Sequence, residues 1–106
     1  MEEMELLSFQ MISSVGTARS LYLEAIQQAR LGCFEEAENL IKEGDANYLE
    51  GHLVHAKLLQ QEATGQLDSI NVLQVHALDL LMSAETLGIL ANEIIAVYKK
   101  MNFEGN

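Results

Sequence analysis

The stretch that decides the fold is Val72-Leu73-Gln74-Val75-His76-Ala77-Leu78-Asp79-Leu80-Leu81-Met82-Ser83-Ala84-Glu85-Thr86-Leu87-Gly88-Ile89-Leu90-Ala91. Wound as a helix, its apolar residues fall on nearly every side rather than on one stripe. The chain has no proline, so nothing forces a break here or elsewhere. Two other helices cannot cover a helix that is apolar all round. The pattern therefore predicts that the chain oligomerises through this segment.

Working outward, the segment extends over about 69–102, with Asp68 or Ser69 as its N-cap and Lys99 and Lys100 in its last turn, where they complement the helix dipole. Upstream, Gly65 to Asp68 reads as a loop. Before it, Phe34, Ala37, Leu40, Ile41, Tyr48, His52, Ala56 and Leu59 recur at helical spacing, giving a second helix over about 34–64. Gly44 and Gly51 weaken it, by about 1 kcal/mol each relative to alanine. Gly32 is a helix terminator. The first helix, about 3–31, carries Leu7, Met11, Val15 (or Ile12), Ala18, Tyr22, Ala25 and Ala29 on one stripe. Its run Ser13 to Ala18 is poor in strong helix formers. Gly16 either breaks the helix or marks a patch where another helix comes close. The sum is an all-α domain spanning residues 1–106, an antiparallel up-down-up three-helix bundle.

Composition narrows the function. A net charge of -10 argues against nucleic acid and against an anionic membrane surface, both of which require a basic face. The single cysteine, Cys33, excludes an intrachain disulfide and suits a reducing compartment. Met1 to Phe9 carries Glu2, Glu3 and Glu5 and no base, unlike a secretory signal. No apolar run is expected to reach the roughly 20 residues that span a bilayer. The expectation is a cytoplasmic protein with no direct membrane insertion.

Two ionisable residues interrupt the apolar helix. His76 and Asp79 stand three apart and share a face, which Ser83 continues. Buried, they need a partner or a ligand. A structural His–Asp hydrogen bond, a metal site and a catalytic histidine all satisfy that need. His52 and His55 repeat the spacing, but two ligands are too few for zinc and no third is indicated. Cys33 has only Arg30 nearby to lower its pKa. Arg19 either pairs with a surface carboxylate or docks an anionic group.

These residues resemble a known family. Val75-His76-Ala77-Leu78-Asp79-Leu80-Leu81-Met82-Ser83 is similar to the His-Ala-Gln-Asp-His-Leu-Met-Thr motif of the IIA component of the lactose/cellobiose (N,N′-diacetylchitobiose) family of the bacterial phosphoenolpyruvate-dependent sugar phosphotransferase system. Gly16-Thr17-Ala18-Arg19-Ser20 resembles its Gly-x-Ala-Arg-Ser, and Gly32-Cys33-Phe34-Glu35-Glu36-Ala37 its Gly-x-Phe-x-x-Ala turn. Gly51-His52-Leu53-Val54-His55-Ala56 is similar to its Ala-His-x-x-Gln-Thr. The family's Gln and second His are replaced by Leu78 and Leu80, and its Gln-Thr by His55-Ala56.

The resemblance implies a homotrimer with helix three lining the axis and Gly16 at a close-packing site. It implies a phosphotransferase in which His76 takes a phosphoryl group from the phosphocarrier HPr. His76 would pass it to a cysteine of the cognate IIB component, itself possibly joined to IIC, during uptake of cellobiose, chitobiose or lactose. Asp79 would hold a divalent metal, Mg2+, at the axis. A carboxylate about 6 Å from a unit charge costs about 3 kcal/mol at an effective dielectric near 20, so Asp79 must be neutralised or turned away from a phosphorylated His76. The alternative is a non-catalytic helical oligomer or regulatory adaptor of the same fold.

Overall fold

In the computed structural model, which describes residues 3–65 and 72–105, three helices follow one another: α1 (Glu3–Arg30), α2 (Phe34–Ala63) and α3 (Val72–Gly105). No strand occurs among the described residues. The bundle is a rod of 59 × 18 × 18 Å. The expected loop from Gly65 to Asp68, the N-cap at Asp68 or Ser69 and the start of the third helix at 69 fall largely outside the described residues.

The reason α1 is one continuous helix lies in its stripe. Leu7, Met11, Val15, Ala18, Tyr22, Ala25 and Ala29 are all buried, as their spacing demands. Glu3 and Glu5 in the first turn and Arg30 in the last complement the helix dipole. The weak run Ser13 to Ala18 stays helical, and Thr17 Oγ1 donates back to the Ser13 carbonyl at 2.9 Å. Gly16 therefore breaks nothing. Within the chain it is no close-packing site either, since a Cβ built there meets no atom within 4 Å.

Gly32 ends α1 in the left-handed region, φ 84°. The Gly32 amide donates to Ala29 O at 3.0 Å and the Cys33 amide to Gln28 O at 2.9 Å, which is the Schellman pattern. Cys33 then precedes α2, and its carbonyl accepts the Ala37 amide. The turn sends α2 back along α1. Met4 and Gln74 meet near one end, and Tyr22 lies against Gly88 further along, so α3 runs parallel to α1.

α2 departs from the predicted stripe in its second half. His52, Ala56 and Leu59 are exposed, while Gly44, Gly51, Val54 and Leu58 are buried. The cause is glycine. A Cβ at Gly44 would lie 2.6 Å from the Tyr22 ring, and one at Gly51 would lie 2.5 Å from Val15 Cγ1. Gly51 opens the packed face to Val15 of α1, and Val54 and Leu58 continue that face further along the helix. Far from merely weakening α2, the two glycines let it approach α1.

Tyr22 joins all three helices. Its ring lies between Gly44 and Gly88, where an added Cβ would sit 2.9 Å from Cζ. Its hydroxyl donates to Asp45 Oδ1 at 2.7 Å. Burial first, then Asp45, push that hydroxyl far above the usual phenol range.

α3 buries Ala77, Leu81, Ala84, Gly88, Ala91 and Ile95 and leaves the rest of its apolar surface open. Val72 is 85% exposed and Val97 57%. α3 also runs beyond its predicted end, to Gly105. Lys99 consequently sits before the last turn, where it forms an ion pair with Glu38 of α2 instead of capping the dipole. Val72–Phe103 is long and apolar enough to cross a bilayer by length and composition, a test that the core helix of a bundle also passes. This corrects the expectation that no run is long enough: Asp79, Glu85 and Glu93 are its few acids over a long apolar stretch. In the bundle one face of this helix is core for α1 and α2.

Candidate functional site

The site grows from the geometry of α3. At 3.6 residues per turn, His76, Asp79 and Ser83 lie within about 60° of one another around the axis, opposite the buried residues. His76 and Asp79 are both exposed, and Ser83 is half-buried. The core hydrogen bond between His76 and Asp79 that their spacing allows is not formed. The apolar character around them comes from the uncovered face of α3, with Val72, Val75, Met82 and Leu90 along it.

Around α3 the site has two flanks. Toward α1 lies an open cleft of about 480 Å³, lined by Arg19, Leu23, Asp79, Met82, Ser83 and Thr86 among others. Arg19 here has neither hydrogen bond nor ion pair, and its Nε is buried without an acceptor. The surface carboxylate pairing that its sequence position permits is thus absent.

Toward α2 lies a smaller and largely apolar pocket of about 190 Å³, with Met11, His55, Leu58, Leu59, Val75 and Leu78 in its wall. His55 is half-buried, and burial, assisted by the neighbouring His52, lowers its pKa below the ordinary histidine value. His52 itself is exposed and stacks on Tyr48, with ring centroids 6.1 Å apart. Among the described residues no three of His, Cys, Asp or Glu come together to hold a metal. Cys33 is exposed in the α1–α2 turn, away from both flanks.

The position of Leu78 differs from what linear proximity suggests. It is two residues from His76 but about 200° away around the helix, and it lines the pocket on the α2 flank. Leu80, about 40° from His76, is half-buried against the core instead. The replacements at 55 and 78 therefore meet in one pocket that His76 does not line. Helical phase alone gives that separation. The orphaned Arg19 and the role of Gly88 had no comparable signal in the sequence.

A family model described as PTS system, Lactose/Cellobiose specific IIA subunit matches residues 6–99. A lichenan-specific phosphotransferase enzyme IIA component from Bacillus subtilis (strain 168) is 39% identical over 100 residues, covering 94% of this chain and 91% of its own length. A lactose-specific EIIA component from Staphylococcus aureus (strain N315) is 36% identical over 99 residues, covering 93% and 96%. The crystal structure of a cellobiose-specific enzyme IIA from Bacillus anthracis superposes with a TM-score of 0.92 at 39% identity, covering 96% of this chain and 94% of that one. The IIA(chitobiose) chain solved in solution as a complex with HPr gives 0.85 at 29% identity, covering 96% and 99%.

Proposed function

Since this chain belongs to the lactose/cellobiose-specific IIA family of the PTS system, we propose that it carries a phosphoryl group on His76, received from phospho-HPr and delivered to a cysteine of a IIB partner, in the cytoplasm, during uptake of a β-linked disaccharide. The observation that carries the reading is the placement of His76: exposed, on the open side of α3, within a motif that matches the family's. A similar IIA fold solved in complex with HPr supports the donor.

The chemistry suits imidazole. Its neutral form is nucleophilic near neutral pH, because the unperturbed pKa is about 6.5. Nε2 attacks the phosphorus in line as the bond to the donor breaks. The same position then releases the group to the thiolate of IIB. Such transfer depends on alignment and charge neutralisation more than on covalent machinery, and a docked partner supplies the alignment. An exposed His76 gives both partners access to one face.

The open apolar surface of α3 supports assembly as a homotrimer through that helix. Gly16 shares the α1 face of Arg19 and Leu23 at helical spacing, and Leu23 and Arg19 line the cleft beside that surface. Asp79 would then be brought near its copies. One chain offers a single carboxylate, so a metal site exists only in the assembly. Its hard oxygen donor is of the kind Mg2+ takes, and the carboxylate has no competing partner in the chain. A bound ion would neutralise the clustered acids. Metal analysis of purified wild type and Asp79→Leu tests this, and equal metal content in both would reject it.

Incubation with HPr, enzyme I and phosphoenolpyruvate tests the main reading. The expected product is acid-labile, base-stable phosphate, absent from His76→Ala. No label on the wild type, or label that survives in that variant, would reject the reading; function and partner binding left intact in His76→Ala would favour the non-catalytic adaptor.

A further inference from the structure

The cleft between α1 and α3 holds one basic side chain and one acidic side chain, and neither is paired. Arg19 and Asp79 both line it, together with the hydroxyls of Ser83 and Thr86. No ion pair joins them, and Arg19 Nε is buried without an acceptor. An N–H donor left in that state is costly, because burial forfeits its hydration without a replacement. Asp79 is exposed, in the middle of the apolar surface that α3 leaves open. Covering that surface would bury the carboxylate as well, and a buried charge without a partner is costly.

We infer that Arg19 is the counter-charge for Asp79 across the interface between copies of this chain, so that a neighbouring copy supplies the acceptor that Arg19 lacks. The inference rests on the proposed assembly through α3. Three observations favour a second copy as the occupant of the cleft. The cleft adjoins the uncovered face of α3. Its wall combines the apolar Leu23, Met82 and Leu90 with Arg19, and methionine and arginine are enriched at protein–protein interfaces. The chain itself carries the complementary charge at the edge of the same surface. Arginine suits the task, since its planar fork binds a carboxylate in two places and stays charged at any accessible pH.

The arithmetic of charge gives the consequence. Three copies of Asp79 bring three negative charges, and one divalent cation offsets two. Three Arg19 side chains bring three positive charges, which balance all three acids when the cation is removed. The assembly should therefore survive chelation, and Arg19 should be the reason.

Sedimentation of the full chain over a concentration series, with Mg2+ or with EDTA, tests this. Wild type is expected as a trimer in both. In EDTA, Arg19→Ala should lower the association constant at least about tenfold, roughly 1.4 kcal/mol. Adding Asp79→Asn to it should restore assembly, because the uncompensated acid is then gone. Circular dichroism of each variant establishes that the helices remain. A trimer that tolerates Arg19→Ala in EDTA would overturn the inference alone. So would an equal loss on Arg19→Ala in the Asp79→Asn background, which would make Arg19 a packing residue. A monomeric wild type would overturn the assembly through α3 together with it.

Discussion

The two flanks of α3 differ in character. The α1 flank is an open cleft with an unpaired arginine, an unpaired aspartate and two hydroxyls. The α2 flank is a smaller, mainly apolar pocket in which the half-buried His55 is held toward its neutral form. His76 is exposed on the open side of the same helix, and Leu78, two residues on, belongs to the α2 flank. A helix advances about 100° per residue, so neighbours in sequence are assigned to different flanks. The replacements at 55 and 78 therefore alter a pocket on one side and leave the cleft on the other intact.

The largest expected effect separates the flanks outright. His76→Ala should abolish phosphoryl labelling by phospho-HPr, whereas Leu78→Gln should leave the labelling rate unchanged, both read by quench-flow with labelled phosphoenolpyruvate. A loss with Leu78→Gln as deep as that with His76→Ala would break the comparison.

A second effect strikes the mount that the flanks share. Gly88→Ala drives a methyl group into the Tyr22 ring, and should cost about 1–3 kcal/mol by overpacking. The measurement is a lower urea midpoint at constant m. A smaller loss follows from Tyr22→Phe, which removes the hydrogen bond to Asp45 and should cost about 1 kcal/mol. An unchanged midpoint in both variants would mean that Tyr22 does not tie the helices.

The smallest effect sharpens the α2 flank. The folded pKa of His55 lies below its unfolded value, so below about pH 6.5 the unfolded chain binds more protons than the folded one. Stability contributed by neutral His55 is complete above that pH and is lost as pH falls toward the depressed folded value. His55→Leu should flatten this part of the urea midpoint against pH. A profile identical to wild type would place His55 in ordinary solvent.

How much was legible depended on what carried the packing. The stripe of α1 was readable residue by residue because side chains form it, from Leu7 to Ala29. The second half of α2 was not, because its packed face turns on Gly51, which has no side chain to register as apolar, before Val54 and Leu58 continue it. Lys99 looked like a dipole cap because the end of α3 was placed too early; with the helix continuing to Gly105, it meets Glu38. In the site, His76 and Asp79 stood out as ionisable interruptions of an apolar helix. Arg19 could be read only as one of two alternatives, since an arginine with and without a partner has the same sequence. Which residues flank His76 required the helical phase, and linear proximity misassigned Leu78.

The contact of Tyr22 with Gly44 and Gly88 has a consequence for descent. An alanine at either glycine collides with the ring, and a smaller residue at position 22 leaves two empty slots. Each change is harmful alone and tolerable only with the others. A lineage that trades the tyrosine for a smaller residue becomes free to fill both slots, and once filled they bar the tyrosine's return. The three positions are thus expected to change together, with a ratchet built into the order in which they can do so.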